Sequence, residues 1–252
     1  MNILMVNDDG FHSANLELLC RAAAARGHHV TVCAPSVQQS GKAHSFTIFT
    51  PVLVHRREME GAAAAYEIEG TPVDCARVGF MGLCEEKPDL VISGINIGYN
   101  TGAATYASGT VGAAREAAFH HLPAMAVSMH QHTPDATQRF YADWLITLAE
   151  YYVQQDVPPM AVLNVNAPPV DVYELKEPVM CQLNEDVYTS SYERRSSPWG
   201  GGEYFWMTEL VFGATATPGS DDDMLQKGHI TCTLLTPVPC DQAKYADLLK
   251  DL

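Results

Sequence analysis

The amino-acid sequence predicts an α/β fold with a doubly wound, mostly parallel sheet and a C-terminal antiparallel β extension. Up to residue 169, apolar runs of strand length alternate with stretches of helix length. Several of these runs end in polar, glycine-rich segments, as strands do at the ligand-binding edge of open α/β sheets. Beyond residue 169, turn signals, aromatic residues and short alternating runs replace the pattern.

Apolar periodicity places the elements of the first half. Residues Ile3 to Val6 are all apolar, which is typical of a strand buried on both faces. The elements predicted in chain order are a strand at 3–6, a helix at 16–27, a strand at 29–33, a strand at 46–55 paired in a hairpin with 65–69, a helix at 73–84 and a strand at 89–92.

The second half continues the alternation and then departs from it. A Gly-, Ser-, Thr- and Asn-rich loop at 93–110 is followed by a helix at 111–121, a strand at 125–128, a helix at 137–155 and a strand at 161–165. The extension at 170–218 leads to a short helix at 221–227, a strand at 229–235 and an end helix at 241–251. We therefore divide the chain into a Rossmann-like core, 1–169, and C-terminal elements, 170–252, that extend and complete it.

Composition excludes some classes of partner. Hydrophobic residues make up 47% of the 252 residues, enough for a sizeable core, and the formal net charge is −15. Nucleic-acid polymers and anionic membranes require basic surface, so neither is expected as a partner. The seven cysteines form no C-x-x-C pair, the chain enters a strand at once, and no apolar run reaches membrane-spanning length. We expect a protein of the reducing cytoplasm.

Two adjacent carboxylates end the first strand, in the segment Asn7-Asp8-Asp9-Gly10. A turn or a helix cap explains one aspartate, but two in succession are explained less well. Like charges side by side repel, and a hard divalent cation offsets them most directly. The pair therefore predicts a metal site at the carboxyl edge of the sheet.

Two other loops offer oxygen ligands at that edge. Ser40, before Gly41, offers a hydroxyl, although the pair taken alone is better explained as a turn. Asn96 offers a carboxamide oxygen in a loop whose glycines let the backbone approach a ligand closely. A long loop of this composition after a strand is a better functional candidate than most loops.

A phosphate site is predicted beside the metal. Ser108, Gly109 and Thr110 precede a small-residue helix, where they form either an ordinary cap or an anion site built from hydroxyls and free N–H groups. Ligation by oxygen alone suits Mg²⁺, Mn²⁺ or Ca²⁺ rather than zinc. Together these features indicate metal-assisted hydrolysis of a phosphate ester.

Five motifs, in order, resemble the SurE family, the stationary-phase survival proteins that act as 5'-nucleotidases. They are Asn7-Asp-Asp-Gly10, Ser40-Gly41, Gly70-Thr-Pro-Val-Asp-Cys75, Ser93-Gly-Ile-Asn96 with Gly98, Asn100 and Gly102, and Ser108-Gly-Thr-Val-Gly-Ala-Ala114. The likeness continues through 163–166, 198–206 and 219–237, and so covers nearly the whole chain.

The resemblance implies a divalent-metal phosphomonoesterase that hydrolyses nucleoside 5'-monophosphates, with 3'-nucleotides and short polyphosphate as further candidate substrates. It implies that one Mg²⁺ or Mn²⁺ ion per subunit is bound by Asp8, Asp9, Ser40 and Asn96. Asn96 would also contact the phosphate, together with Asn100, Ser108, Gly109 and Thr110. The family's dimers or tetramers exchange C-terminal elements, which would make the aromatic extension an oligomerisation arm.

We expect water to attack phosphorus directly, oriented or deprotonated by Asp8 or Asp9, while Asn96 and the amides of 108–110 stabilise the equatorial oxygens. The acid pair also permits an aspartyl-phosphate route. Receiver and haloacid-dehalogenase domains fit less well, because the strand at 89–92 ends in Ser93-Gly94 and the acids lack Asp-x-Asp spacing. A non-catalytic nucleotide-binding or scaffold protein on this fold is the alternative.

Some residues depart from the family pattern or lie outside the proposed site. Residues 13–15 read Ser-Ala-Asn where the family usually has Ala-Pro-Gly. His44 stands where the family often has Asn or a small residue, either near the site or in a solvent-facing loop. His130 and His132 have a metal-compatible spacing, although a surface loop explains them better. The acids 221–223 cap a helix or contact a neighbouring subunit's site.

Overall fold

The computed structural model describes residues 1–185, 189–211 and 215–237. Its strands are β1 (Asn2–Val6), β2 (His29–Pro35), β3 (Leu53–Arg57), β4 (Ala64–Glu69), β5 (Leu90–Ile97), β6 (Ala124–Met129), β7 (Val162–Ala167), β8 (Lys176–Met180), β9 (Thr189–Ser196), β10 (Glu203–Val211) and β11 (His229–Leu235). Its α-helices are α1 (Ala14–Ala25), α2 (Pro72–Val78), α3 (Ala104–Ala107), α4 (Gly109–Phe119), α5 (Asp135–Tyr152) and α6 (Asp221–Gln226), and a π-helical turn spans Gly79–Leu83. Within these ranges no helix has the length and apolar character needed to cross a membrane.

The predicted α/β architecture is confirmed. One large sheet has the strand order β3-β4-β2-β1-β5-β6-β7-β11-β8, and β9 and β10 form a separate antiparallel pair. The central strands from β4 to β7 run parallel, whereas β3 pairs antiparallel with β4 and β11 pairs antiparallel with β7. The parallel strands therefore end at one edge of the sheet, where the polar loops collect.

Both faces of the sheet are buried, which explains the uninterrupted apolar run of β1. Ile3 and Met5 pack into one hydrophobic cluster with α1 and α5, while Leu4 and Val6 pack into a second cluster with α2 and α4. Because successive side chains of a strand point to opposite faces, each pair serves a different layer. β1 is thereby held rigidly in the middle of the sheet, and the residues that follow it begin at a fixed point.

An irregularity in β5 positions Asn96. The pairing of β5 with β6 shifts register between Ser93 and Asn96. Gly94 lies between them with a φ of +136°, and a Cβ at this position would lie 2.1 Å from the carbonyl oxygen of Val127. Only glycine tolerates both the backbone conformation and the close approach. The strand therefore continues to Ile97 with Asn96 opposite Ser128.

Two sequence predictions are wrong in detail. Residues 46–52 belong to no strand, because the backbone and hydroxyl of Thr47 bond to the carboxylate of Asp74 at 2.8 and 2.7 Å, which ties this stretch to α2 and leaves β3 to begin at Leu53. The segment 93–110 is not one long loop, since β5 extends through its first residues and α3 forms inside it.

The C-terminal part divides between the two sheets. β9 and β10 form the predicted antiparallel extension, whereas β8 and β11 join the large sheet as parallel neighbours. The division of the chain at residue 169 stays a prediction. The helix expected at 241–251 lies outside the described residues.

Candidate active site

A cavity of about 880 Å³ opens at the carboxyl edge of the sheet. It brings together five of the eight predicted site residues, namely Asp8, Ser40, Asn96, Asn100 and Ser108. The other three lie against these: Asp9 bonds to the end of β5, and Gly109 and Thr110 contact Asp8. All eight predicted residues therefore meet in one place.

The turn after β1 presents the two acids. The side chain of Asn7 donates from Nδ2 to the carbonyl of Gly10 at 2.9 Å and accepts the Gly10 N–H at its Oδ1 at 3.2 Å. This reciprocal pair closes a tight turn, and Gly10 completes it with a φ of +103°. Asp8 and Asp9 project from this closed turn.

Asp8 is the more buried acid, with 3% of its surface exposed. Its Oδ1 accepts a hydrogen bond of 2.5 Å from the hydroxyl of Thr110. Burial raises the pKa of Asp8, and the hydrogen bonds from Thr110 oppose that rise. Gly109 permits this approach, since a Cβ there would lie 3.2 Å from both Cβ and Oδ2 of Asp8.

Asp9 is less buried and reaches the neighbouring strand. Its Oδ2 accepts the backbone N–H of Ile97 at 3.1 Å, which links the β1 turn to the end of β5. Burial first, and then the adjacent charge of Asp8, raise the pKa of Asp9 to about 6. The two carboxylates repel each other, and the residues that line the cavity in the described part of the chain include no lysine or arginine.

The donor set fits a hard divalent cation. In the described ranges no group of three or more His, Cys, Asp or Glu residues is arranged to hold a metal, so a zinc-type cluster does not compete. Carboxylate, hydroxyl and carboxamide oxygens are the ligands that Mg²⁺, Mn²⁺ and Ca²⁺ prefer. A bound cation would also supply the positive charge that the acid pair lacks.

Ser40 lies on a loop that is tied down on both sides. The Gln39 N–H donates to the carbonyl of Asp8 at 2.7 Å, and the Ala43 N–H donates to the carbonyl of Ala107 at 3.0 Å. Helix α4 comes so close that a Cβ on Gly112 would lie 2.2 Å from the carbonyl oxygen of Ala43. The loop is therefore packed against both the acid turn and α4, and Ser40 itself is exposed.

His44 continues this attachment and does not line the cavity. Its Nε2 lies 2.7 Å from Oε2 of Glu116, a buried carboxylate on α4 that also faces Arg77 and His120 at 3.2 Å each. The His44 ring stacks on Phe119 with centroids 5.3 Å apart. His44 is thus neither a group of the cavity nor a free surface residue, but an anchor for the loop that carries Ser40.

Asn96 and Ser108 also line the cavity. The Asn96 side chain donates from Nδ2 to the carbonyl of Gly98 at 2.8 Å, which leaves its carbonyl oxygen for a ligand. Ser108 caps α4, since its hydroxyl oxygen accepts the N–H of Val111 at 3.1 Å. The hydroxyl proton of Ser108 therefore stays available to donate to a bound anion.

The sequence assigned no role to three residues that hold Asn100. Asn166 Oδ1 accepts the Asn100 N–H at 2.9 Å, and Asn164 Nδ2 donates to the Asn100 carbonyl at 2.8 Å. The Asn100 side chain in turn donates to the hydroxyl of Ser128 at 2.9 Å. Polar residues inside the otherwise apolar strands β6 and β7 were the signal for this network, since buried polar groups need partners.

Asp221 is a second support that no local pattern indicates. Its Oδ2 accepts the N–H of Gly102 at 3.0 Å, and its Oδ1 accepts the N–H groups of Asn184 at 2.8 Å and Asp222 at 3.0 Å. The loop 98–102 is thereby fastened to the start of α6. Burial raises the pKa of Asp221 despite these three bonds.

The fold and site define a class of protein: a doubly wound α/β protein with a candidate all-oxygen metal site beside a capped helix start. A family model described as survival protein SurE matches residues 3–190. The chain belongs to the SurE family.

Individual relatives agree with this membership. The 5'-nucleotidase SurE of Desulfovibrio desulfuricans is 39% identical over 242 residues, covering 93% of this chain and 92% of the relative. The 5'-nucleotidase SurE of a Synechococcus strain is 35% identical over 249 residues, covering 98% of this chain and 94% of the relative. The crystal structure of the SurE protein from Aquifex aeolicus superposes with a TM-score of 0.79 at 29% identity, covering 100% of this chain and 99% of that one.

Proposed function

We propose that this protein is a divalent-metal-dependent phosphomonoesterase that hydrolyses nucleoside 5'-monophosphates to nucleoside and inorganic phosphate. The observation that carries the proposal is the 2.5 Å contact between Thr110 and Asp8. It joins the acid pair to the start of α4, so that the proposed cation ligands lie beside the proposed anion ligands. Relatives that carry the name 5'-nucleotidase over more than nine tenths of their length support the same activity.

The proposed ligands of the metal are Asp8, Asp9, Ser40 and Asn96, with Mg²⁺ or Mn²⁺ as the ion. When bound, the ion supplies Lewis-acid polarisation of a phosphoryl oxygen and lowers the pKa of water. The support for this set is its chemistry: two acids without a cationic side chain in the cavity lining, a hydroxyl and a carboxamide, all of them oxygen donors.

The chain's own groups then orient the reaction. Either Asp9 or Asp8 positions the attacking water and takes up its proton. As the new P–O bond forms, the bond between phosphorus and the nucleoside O5' breaks, and the departing oxygen takes a proton from solvent. The hydroxyl of Ser108 donates a hydrogen bond to a phosphate oxygen, and the amides of Gly109 and Thr110 add the positive end of the α4 dipole. Asn96 and Asn100 face the remaining oxygens. Because Thr110 also bonds to Asp8, a change at Thr110 would affect both the binding of phosphate and the position of Asp8.

The proposed route is direct attack by water rather than an aspartyl-phosphate intermediate. The support is that Oδ1 of Asp8 already accepts the Thr110 hydroxyl, so that only one oxygen of this carboxylate remains for the proposed metal and water. A rapid quench during turnover of radiolabelled substrate tests this point. A phosphorylated Asp8 or Asp9 in the quenched protein would overturn the direct route.

Phosphate release tests the function as a whole. Purified protein is incubated with AMP, GMP, CMP, UMP, a 3'-nucleotide, short polyphosphate and ribose 5-phosphate, each with Mg²⁺, Mn²⁺ or EDTA. We expect release from 5'-nucleotides that requires the metal and falls a hundredfold or more, to order of magnitude, in Asp8→Asn. The control is Asp156→Asn, an exposed acid outside the cavity.

The contrary outcome has a definite meaning. If wild type and Asp8→Asn release equally little phosphate from every substrate, the enzymatic proposal is wrong. Binding of AMP by that inactive protein would then support the alternative, a non-catalytic nucleotide-binding or scaffold protein on the same fold.

We also propose that the β9–β10 hairpin joins copies of this chain into a dimer or tetramer, with the C-terminal elements exchanged. The support is that the hairpin exposes large apolar groups on both faces, among them Phe205 at 62%, Trp206 at 61% and Trp199 at 95%. Light scattering on wild type and on Phe205→Ser/Trp206→Ser tests this, with a smaller mass expected for the variant. An unchanged monomeric mass in both would contradict it.

The proposed compartment is the reducing cytoplasm. In the described ranges the cysteines are free thiols, and all but Cys84 are buried, as small core residues are.

A further inference from the structure

A wall of aromatic rings lies in the same cavity as the acids. Tyr99 and His130 line it together with Asp8 and Asn96. The ring centroids of Tyr99 and His130 are 5.4 Å apart, and those of His130 and His132 are 5.3 Å apart. Of these rings, Tyr99 and His130 line the cavity, and we call these two side chains the ring surface. None of them belongs to the proposed oxygen ligands or the phosphate site.

The sheet fixes where the ring surface stands relative to the acids. Ile97 at the end of β5 pairs with Met129 at the end of β6, and the Gly98 N–H donates to the Met129 carbonyl at 2.8 Å. Tyr99 and His130 follow directly from these two strand ends. Only two residues separate Asn96 from Tyr99, so their Cα atoms lie at most about 11 Å apart. Tyr99 and the proposed ligand Asn96 therefore lie on the same short segment at the end of β5, and both line the cavity.

His130 is held in one orientation. Its Nδ1 accepts the backbone N–H of His132 at 3.1 Å, and its carbonyl accepts both the N–H and the hydroxyl of Thr133 at 3.0 and 2.8 Å. The bond at Nδ1 assigns the proton of the neutral ring to Nε2. Burial and the neighbouring His132 lower the pKa of His130, which favours the neutral imidazole.

The β9–β10 hairpin adds two further apolar groups to the cavity lining. Tyr192 and Met207 face each other across β9 and β10, so they share one face of the hairpin, and both line the cavity. An aromatic ring and a polarisable thioether are favourable neighbours for a π-system. The cavity lining thus includes an apolar set of side chains, formed by the ring surface, Tyr192 and Met207, in addition to Asp8.

We propose that the ring surface binds the base of the nucleotide substrate by stacking, with His130 as the main contact. This inference rests on the proposed function and identifies the part of the substrate that the apolar side chains of the cavity lining contact. Every base has a π-face, so stacking discriminates weakly among bases. We therefore expect a nucleotidase that prefers nucleotides to base-free phosphate esters but accepts several bases.

The test compares a nucleotide with an ester that has no base. For wild type, His130→Ala and His130→Phe, kcat/KM is measured with AMP and with ribose 5-phosphate in the presence of the metal. We expect the ratio of the two values to fall about tenfold in His130→Ala, which is the loss of one stacking contact. His130→Phe restores a π-face and is expected to recover most of that ratio. The matched control is His55→Ala, an exposed histidine of β3 outside the cavity lining, for which the ratio stays unchanged.

A binding measurement separates failure of this inference from failure of the proposed function. Equilibrium dialysis with adenosine, which has a base but no phosphate, reports the ring surface without any turnover. Weaker adenosine binding in His130→Ala supports the ring surface even if no substrate is hydrolysed. Equal losses for AMP and ribose 5-phosphate, or equal adenosine binding by wild type and His130→Ala, would overturn the inference while leaving the phosphatase activity intact.

Discussion

The hydroxyl of Thr110 donates a 2.5 Å hydrogen bond to Oδ1 of Asp8 across 102 residues of chain. This bond joins the end of the first strand to the start of α4. It also satisfies a carboxylate that is almost fully buried. The geometry at this contact decides how the acid pair and the helix start face each other.

Replacement of Thr110 by valine keeps the side-chain volume and removes the hydroxyl. The buried Asp8 carboxylate then lacks its side-chain partner, at a cost of about 1–3 kcal/mol in the free energy of unfolding. We also expect kcat for 5'-nucleotides to fall at least tenfold, since Asp8 is no longer oriented. Urea denaturation and steady-state kinetics measure the two effects. Thr110→Ser serves as the control, because it restores the hydroxyl and is expected to recover most of both.

Replacement of Gly112 by alanine tests the packing of the Ser40 loop on α4. Helix propensity alone predicts stabilisation by up to about 1 kcal/mol. The new Cβ would nevertheless lie 2.2 Å from the Ala43 carbonyl oxygen, so the loop must move. We expect lower thermal stability and weaker binding of Mn²⁺, measured by calorimetry. Gly82→Ala, where a Cβ meets nothing within 4 Å, is the matched control. A more stable Gly112→Ala protein with unaltered Mn²⁺ affinity would contradict the close packing.

The pair His44 and Glu116 is suited to a double-mutant cycle. The variants are His44→Ala, Glu116→Gln and the combination, and the measurement is the free energy of unfolding. We expect a coupling energy of about 1–3 kcal/mol, since Nε2 of His44 lies 2.7 Å from the buried carboxylate of Glu116. Activity should fall with His44→Ala, because the Ser40 loop loses an anchor. Additive effects of the two single changes would show that the contact is unimportant.

Asp221→Asn is expected to change how stability depends on pH. Burial raises the pKa of Asp221, so the folded state favours the protonated acid. The stabilisation that comes from this protonated side chain is complete below the pKa of the unfolded chain, and it is lost as the pH rises through the higher pKa of the folded state. Asparagine does not ionise, but it has one acceptor oxygen in place of two. The variant should therefore be less stable than wild type at pH 4, with a deficit that narrows toward pH 8. Urea titrations across this range decide the matter, and a deficit that widens with pH would contradict the prediction.

The strands and the site loops were predictable because they depend on short-range patterns. The alternating burial of Ile3 to Val6 between two hydrophobic layers follows from an uninterrupted apolar run. The meeting of the Asp8, Asn96 and Ser108 loops follows from the rule that parallel strands end at one edge. Neither inference requires knowledge of which distant residues touch.

The errors came from long-range partners. The alternation at 46–55 indicates a strand, yet Asp74 binds Thr47 and holds the first part of that stretch beside α2. In the same way, His44 was equally compatible with a place near the site and with a solvent-facing loop, and its partner Glu116 lies 72 positions away. Periodicity reports which face of an element is apolar, but it carries no information on such contacts.

The sequence by itself determined the layered α/β core and the set of oxygen-bearing loops at one edge of the sheet, because hydrophobic periodicity and strand direction are local properties. The tertiary structure alone decided that Thr110 supports Asp8, that Asp221 holds Gly102 from 119 residues away, and that Tyr99 and His130 share one cavity with the acids. The physical reason is that burial removes water as a hydrogen-bond partner. Each buried polar group must then find a partner in the folded chain, wherever packing brings one.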